Sequence, residues 1–122
     1  MSMVSQFPSP AQDYQQTQID LNKILVKDPA NTFFLRVYGD SMEGAGIYDQ
    51  DEIIVDRSIK PETGKVVVAS LDGEFTVKRL GVDGYGQGWL LSENPKYPAI
   101  PVSAESKFSI LGVVTFCLHH TG

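Results

Sequence analysis

The chain has 122 residues, of which 42% are hydrophobic and 20% charged, a length and composition typical of one globular domain. Its net charge of −5 and its 10 scattered lysines and arginines argue against direct binding to a nucleic-acid backbone, so we expect any contact with DNA to be indirect. A single cysteine excludes an internal disulfide. The sequence contains neither an apolar run long enough to cross a bilayer nor a signal-peptide pattern, which predicts a cytoplasmic protein without membrane contact.

The first residues of the chain differ from the rest. Pro8 and Pro10 interrupt regular strand pairing, and a polar, glutamine-rich stretch follows them. We therefore expect residues 1–19 to form an extended N-terminal arm and residues 20–122 to form one domain. Residues 21–26 fit either a short strand or one helical turn, and the sequence does not decide between them.

From residue 32 onward, short runs of aromatic and β-branched residues are separated by Gly, Pro and Asp, a pattern that indicates a mainly β domain. The run at 108–118 is almost continuously apolar and is predicted to be a central strand. Gly112 within this run indicates a bulge or a close backbone contact. The predicted strands are residues 32–38, 52–55, 65–71, 74–80, 89–92 and 108–118.

Asp72-Gly73 lies between two strand patterns and predicts a two-residue type I′ turn, because that turn needs positive φ at both central residues. A hairpin with this turn places Lys78 opposite Val67, on a face lined by small or apolar side chains. Such surroundings exclude water from a lysine amine and lower its pKa. The other face is the better candidate for the main core. It carries Val66, Val68, Phe75, Val77 and Arg79, the last near the strand end, where it can reach solvent.

Ser41 follows a glycine just beyond the first predicted strand, in the sequence Gly39-Asp40-Ser41-Met42. A serine on such a turn can project its hydroxyl beside free backbone N–H groups, as a nucleophile with an oxyanion hole requires. By itself the pattern is more typical of a serine that completes a turn. Lys78 by itself is likewise more typical of a solvated charge at a sheet edge.

The two residues become more informative together because the sequence offers few other bases. His119 and His120 are the only histidines, and their place near the chain end is more typical of a disordered tail than of a catalytic site. They also lack a Cys or His partner for a metal site, so we expect neither metal nor cofactor. A neutral, desolvated lysine is the known alternative base in serine hydrolases.

Two segments, residues 39–42 (GDSM) and 72–78 (DGEFTVK), resemble the nucleophile and base motifs of the LexA/UmuD family of self-cleaving SOS proteins. The separation of 37 residues between Ser41 and Lys78 is also similar to the spacing in that family. The resemblance extends from about residue 7 to residue 114 and is strongest to UmuD. The UmuD-like segments are residues 7–11 (FPSPA), 13–14 (DY), 19–22 (IDLN), 54–56 (IVD) and 112–114 (GVV).

The resemblance implies a mainly β fold of the type found in the C-terminal domains of LexA and UmuD, with strands in a partly open, curved arrangement. It implies Ser41 as the nucleophile and Lys78 as its base, with the backbone N–H groups of Asp40 and Ser41 as the oxyanion hole. It also implies a homodimer, whose contacts we expect in the arm and in residues 108–118. Further implied partners are a UmuC-like subunit of the Y-family polymerases, the RecA filament, and a host UmuD in a heterodimer.

UmuD proteins carry a small-residue–glycine bond that is cleaved in their N-terminal arm, and residues 1–6 contain no such bond. Ala45-Gly46 has the right residue types but lies too close to Ser41 to be presented to it. We therefore expect the chain to correspond to the short, processed UmuD′ form, without the DNA-binding domain of the family repressors. A form that bypasses cleavage suits a phage or plasmid.

Two functions follow from the resemblance. The leading hypothesis is an accessory subunit of an error-prone translesion DNA polymerase, active in SOS mutagenesis without self-cleavage. The alternative is a serine peptidase that uses the Ser–Lys dyad to cleave UmuD-like partners in trans. A signal peptidase with the same dyad is disfavoured by the missing membrane anchor.

Overall fold

Seven antiparallel strands form one open sheet in the computed structural model of the protein, which describes residues 18–103 and 107–122. The first and last strands in the sheet are not joined, so the prediction of a mainly β, partly open fold is confirmed. The strands are β1 (Thr32–Arg36), β2 (Glu52–Asp56), β3 (Val66–Leu71), β4 (Glu74–Val82), β5 (Gly88–Leu91), β6 (Ile100–Val102) and β7 (Phe108–Leu118). They lie in the order β1-β2-β7-β3-β4-β5-β6.

A short helix, α1 (Leu21–Leu25), precedes the sheet and resolves the choice that the sequence left open between strand and helical turn. The side chain of Asp20 caps it by accepting a hydrogen bond from the N–H of Asn22 over 3.0 Å. A 3-10 turn (Pro29–Asn31) then leads into β1. The predicted N-terminal arm falls largely on residues 1–17, which lie outside the described residues.

The hairpin of β3 and β4 has the predicted turn and register. Asp72 and Gly73 have φ angles of 50° and 87°, the left-handed conformation that a type I′ turn requires at both positions. Lys78 pairs with Val67, as the two-residue turn dictates. This hairpin places Lys78 at the middle of β4, with the fully buried Val67 directly across from it.

The long strand β7 runs through the centre of the sheet between β2 and β3, as its apolar sequence predicts. Its pairing shifts register once against each neighbour, which marks two bulges. Gly112 lies beside one of them, and a Cβ atom there would stand 2.7 Å from Val55 Cγ1 and 3.1 Å from the carbonyl oxygen of Asp56. The expectation of a bulge or a close backbone contact at Gly112 is therefore confirmed.

The sheet edge formed by β6 was not predicted. Pro101 occupies the middle of this three-residue strand and pairs with Trp89 of β5. Proline cannot donate to a strand ladder, which removes the sequence signal for a strand but is compatible with an edge position. β6 has this position, because it pairs only with β5 in the sheet order.

A cluster of buried side chains fills one side of the sheet, and the valine side chains of the predicted core face contribute to it. Phe75 does not contribute to this cluster, because the residue is 65% exposed. The prediction that Phe75 belongs to the core was therefore wrong. Within the described residues, no helix is long and apolar enough to span a membrane. The buried members of the core cluster are Val37, Met42, Ile47, Ile53, Val55 and Val68.

Replacement of Gly112 by alanine is predicted to destabilise the fold by about 1–3 kcal/mol, because the added methyl group meets backbone as well as side-chain atoms. Urea unfolding measures the change. Gly84→Ala is the matched control, since a Cβ atom at Gly84 has no neighbour within 4 Å. Equal stability of the two variants would contradict the close contact at Gly112.

Candidate active site

The turn that carries Ser41 is held on both sides by the fold. Before it, Gly39 adopts a φ of 95° and donates its N–H to Asp49 Oδ1 over 2.7 Å. After it, Met42 is only 1% exposed and belongs to the core cluster, so its side chain anchors the backbone next to the serine. A 3-10 turn (Glu43–Ala45) closes the segment. Ser41 is thus held between a glycine with positive φ and a buried methionine.

The structure brings together the two residues that the sequence singled out. Lys78 Nζ donates to Ser41 Oγ over 3.0 Å, although 37 residues separate them in the chain. The same amine donates to the carbonyl oxygen of Val77 over 3.2 Å. The first distance is within the normal range for a hydrogen bond, and it is short enough for direct proton transfer between hydroxyl and amine.

Lys78 is buried, with 7% of its surface exposed. Burial lowers the pKa of the Lys78 amine below its ordinary value of 10.5, because the ammonium loses its hydration. The direction agrees with the expectation from the hairpin register. A lowered pKa raises the fraction of neutral amine at a given pH, and only the neutral amine can accept the proton of Ser41.

The carboxylate of Asp40 bonds to two side chains other than Lys78. It accepts hydrogen bonds from the hydroxyl of Tyr97 and from Lys96 Nζ, the latter over 3.5 Å. The Tyr97 hydrogen bond and the charge of Lys96 hold the pKa of the Asp40 carboxyl below its usual value. Asp40 therefore has its own partners and does not hold Lys78 in the charged form.

The expected oxyanion hole involves the backbone N–H groups of Asp40 and Ser41. The N–H of Ser41 donates to no described residue, so it is available to a carbonyl oxygen. The N–H of Asp40 interacts with the carboxylate of its own side chain, which helps to lower the pKa of that carboxyl. The N–H of Met42, like that of Ser41, has no described acceptor and lies beside it in sequence.

A cleft of about 290 Å³ opens beside Ser41. Its lining is largely apolar and includes Val68 and Val77 from the hairpin, with Tyr38 and Phe75. The exposure of Phe75 is explained by this location, because a residue that lines an open cleft contributes to the site and not to the core. The cleft therefore presents an apolar surface next to Ser41.

The two histidines near the chain end are paired with carboxylates, which corrects their interpretation as a disordered tail. His119 Nδ1 lies 2.6 Å from Asp51 Oδ1, and His120 Nε2 lies 2.5 Å from Glu52 Oε1. Asp51 immediately precedes β2 and Glu52 is its first residue. Each carboxylate lies 68 residues before its histidine in the sequence. Local sequence carries no signal for such a contact.

Cys117 also contacts this cluster, since its thiol donates to Asp51 Oδ2 over 3.3 Å. Burial and the Asp51 hydrogen bond raise the pKa of the Cys117 thiol to about 12. The thiolate is the reactive form of cysteine, so the raised pKa lowers the reactivity of Cys117 at neutral pH.

A loop that the sequence did not single out packs against the Ser41 turn. The N–H of Glu93 donates to the carbonyl oxygen of Ser41 over 2.9 Å, and Asn94 Nδ2 donates to the carbonyl oxygen of Asp40 over 2.9 Å. Arg79 reaches solvent as expected, with 32% of its side chain exposed, and also donates to Glu93 Oε1 over 2.5 Å. The sequence gives little indication that this loop packs against the Ser41 turn, because charged and amide residues after a strand usually indicate a solvated loop.

The chain is similar to known proteins along nearly its whole length. A family model described as Peptidase S24-like matches residues 3–115 of the chain. Protein SamA of Salmonella typhimurium is 44% identical over 115 residues, which cover 94% of this chain and 79% of SamA. Protein ImpA of Escherichia coli is 43% identical over 115 residues, covering 94% of this chain and 77% of ImpA. The LexA repressor of Acidithiobacillus ferrooxidans is 39% identical over 118 residues, covering 94% of this chain and 57% of the repressor.

Burial of Lys78 predicts how stability depends on pH. The pKa of Lys78 is lower in the folded protein than in the unfolded chain, so the unfolded chain binds more protons between the two values. The free energy of unfolding therefore rises with pH through that window. Below it, the folded state is weakened by about 1.4 kcal/mol for each pH unit that separates the two pKa values.

The variant Lys78→Met lacks the buried amine and is predicted to be more stable than the original protein at pH 7, with an advantage that shrinks towards pH 10.5. Urea unfolding across this pH range measures the difference. Lys60→Met, at an exposed position, is the control for general loss of a lysine charge. A constant difference between Lys78→Met and the original protein at every pH would contradict the lowered pKa.

Proposed function

Because the chain belongs to the Peptidase S24-like family, we propose that it is a UmuD′-like accessory subunit of an error-prone translesion DNA polymerase. The observation that carries this proposal is the extent of the likeness to UmuD-type proteins, which spans nearly the whole domain and is not confined to the dyad motifs. The subunit works in the cytoplasm during the SOS response, where it joins a UmuC-like polymerase subunit and the RecA filament. It contacts DNA through these partners.

The working unit of the proposed subunit is a homodimer. Ile54 pairs with Phe34 of β1 on one side and with Phe116 of β7 on the other, so the three side chains share one face of the sheet. Ile54 is fully buried, whereas Phe34 and Phe116 are 54% and 39% exposed. Two exposed aromatic rings on one sheet face support an interface there, and the same face serves a heterodimer with a host UmuD.

A second function, peptidase activity in trans, is favoured by the contact between Lys78 and Ser41. In this reaction neutral Lys78 takes the hydroxyl proton while Ser41 Oγ attacks the carbonyl carbon of a peptide bond. The C–N bond breaks, the leaving amine takes the proton from Lys78, and an acyl ester remains on Ser41. Water then hydrolyses the ester, which releases a carboxylic acid and restores the serine hydroxyl. In the predicted oxyanion hole of Asp40 and Ser41, the backbone N–H of Ser41 stabilises the oxyanion.

Ser41→Ala separates the two functions. We predict that this variant loses cleavage of a UmuD-like partner in trans but retains damage-induced mutagenesis in cells that lack their own UmuD, because the accessory role needs surfaces and not the hydroxyl. Peptide mapping and mutation frequency are the two measurements.

Ser109→Ala, at an exposed position on β7, is the control and should retain both activities. Loss of mutagenesis in Ser41→Ala at a normal protein level would contradict the accessory role and favour the peptidase. Cleavage that persists in Ser41→Ala would exclude Ser41 as the nucleophile.

Phe116→Asp is predicted to weaken the dimer, because it places a charge on the proposed interface. Sedimentation at micromolar concentration should give a dimer for the original protein and a larger monomer fraction for the variant. Tyr85→Asp introduces the same charge at a residue that is 99% exposed in the turn between β4 and β5 and should leave the dimer intact. A 13.4 kDa monomer for the original protein would refute the homodimer.

A further inference from the structure

The loop of residues 93–97, here named the bracing loop, forms a ladder of hydrogen bonds with the Ser41 turn. The N–H of Glu93 donates to the carbonyl oxygen of Ser41 over 2.9 Å, and the carbonyl oxygen of Glu93 accepts from the N–H of Gly44 over 2.8 Å. Asn94 Nδ2 donates to the carbonyl oxygen of Asp40 over 2.9 Å. Two successive carbonyl groups, at Asp40 and Ser41, are therefore held by two successive residues of the loop.

The two segments approach each other too closely for a side chain between them. A Cβ atom at Gly44 would stand 2.6 Å from the carbonyl oxygen of Glu93, well inside van der Waals contact. The carboxylate of Asp40 adds a further link, because it accepts from the hydroxyl of Tyr97 at the far end of the loop. The position of the Ser41 turn therefore follows the position of the bracing loop.

The bracing loop is also tied to the strand that carries Lys78. Arg79 is the next residue of β4, and its Nε donates to Glu93 Oε1 over 2.5 Å. Its Nη1 donates to the carbonyl oxygen of Gly64 over 2.6 Å, which fixes the guanidinium from a second direction. The strand of Lys78 and the turn of Ser41 thus share one support.

We propose that the bracing loop sets the distance between Ser41 and Lys78, with Asn94 and Arg79 as the positioning residues. This inference rests on the dyad of the proposed function and identifies the groups that hold it in register. Neither residue touches the reacting atoms, since Asn94 acts through the backbone of the turn and Arg79 acts through Glu93.

Precision at this contact has a physical reason. The hydrogen bond between Lys78 Nζ and Ser41 Oγ spans 3.0 Å, and a hydrogen bond weakens steeply once the two atoms separate beyond about 3.5 Å. A displacement of the turn by less than 1 Å would therefore end proton transfer while the core, anchored by Met42, stays intact. A positioning role is for this reason separable from a purely stabilising one.

A thiol in place of the serine hydroxyl reports the contact without any need for substrate. In Ser41→Cys, Lys78 accepts the proton of the thiol, and the ammonium that results stabilises the thiolate, so the pKa of the introduced thiol should lie below its ordinary value of about 8.5. The rate of iodoacetamide alkylation against pH gives this pKa, and mass spectrometry assigns the modification to each cysteine. Cys117 serves as an internal reference, because it lies in the separate Asp51 cluster.

In the Ser41→Cys background, Lys78→Met should raise the pKa of the introduced thiol to its ordinary value. Asn94→Ala should raise it in the same direction, by about half a unit or more, which is a threefold fall in thiolate at low occupancy. Arg79→Lys retains the charge but cannot bond to Glu93 and Gly64 together, so a smaller rise is expected.

Asn31→Ala is the matched control, since it removes a side-chain amide hydrogen bond, to Asp28, in the 3-10 turn that precedes β1. It should leave the pKa of the introduced thiol unchanged even if it lowers the unfolding midpoint. If the pKa of the introduced thiol rises in Lys78→Met but not in Asn94→Ala, the positioning role is wrong, whereas the contact between Ser41 and Lys78 is supported. If the pKa of the introduced thiol does not change in Lys78→Met, Ser41 and Lys78 do not form a dyad, and the proposed role of the bracing loop is wrong as well.

Discussion

The hydrogen bond from Lys78 to Ser41 depends on a lysine amine that the fold keeps away from water and from carboxylates. Lys78 is 7% exposed and lies across from the fully buried Val67, and burial is the cause of its lowered pKa. The nearest acidic residue to Ser41 in sequence, Asp40, is occupied by Tyr97 and Lys96. Burial favours the neutral amine, and the proposed role of Lys78 as the base for Ser41 depends on it.

The rest of the fold positions the two atoms of this contact. The Asp72-Gly73 turn sets the register of the hairpin, and one residue of slip would turn the lysine to the other face of the sheet. The buried side chain of Met42 anchors the Ser41 turn in the core. Hydrogen bonds from Glu93 and Asn94 hold the same turn from the side. Because these supports come from separate parts of the chain, only the folded domain assembles the dyad.

Features encoded by local sequence were predictable, and those that depend on distant partners were not. The hairpin register, the central strand and the close contact at Gly112 follow from short patterns and match the structure. The pairing of His119 with Asp51 and the contact of Asn94 with the Ser41 turn join residues 68 and 54 positions apart, without a local pattern. Phe75 was misplaced because alternation along a strand identifies a face but not whether that face is covered along its whole length.

Titration of the Lys78 side chain by NMR, in protein with labelled lysines and assigned through Lys78→Met, tests the central claim most directly. The buried dyad predicts a pKa for Lys78 below the ordinary lysine value of about 10.4, with the exposed lysines as internal controls in the same spectra. A Lys78 pKa at or above that value would show that the amine stays charged and solvated. Lys78 would then be unable to act as the base for Ser41.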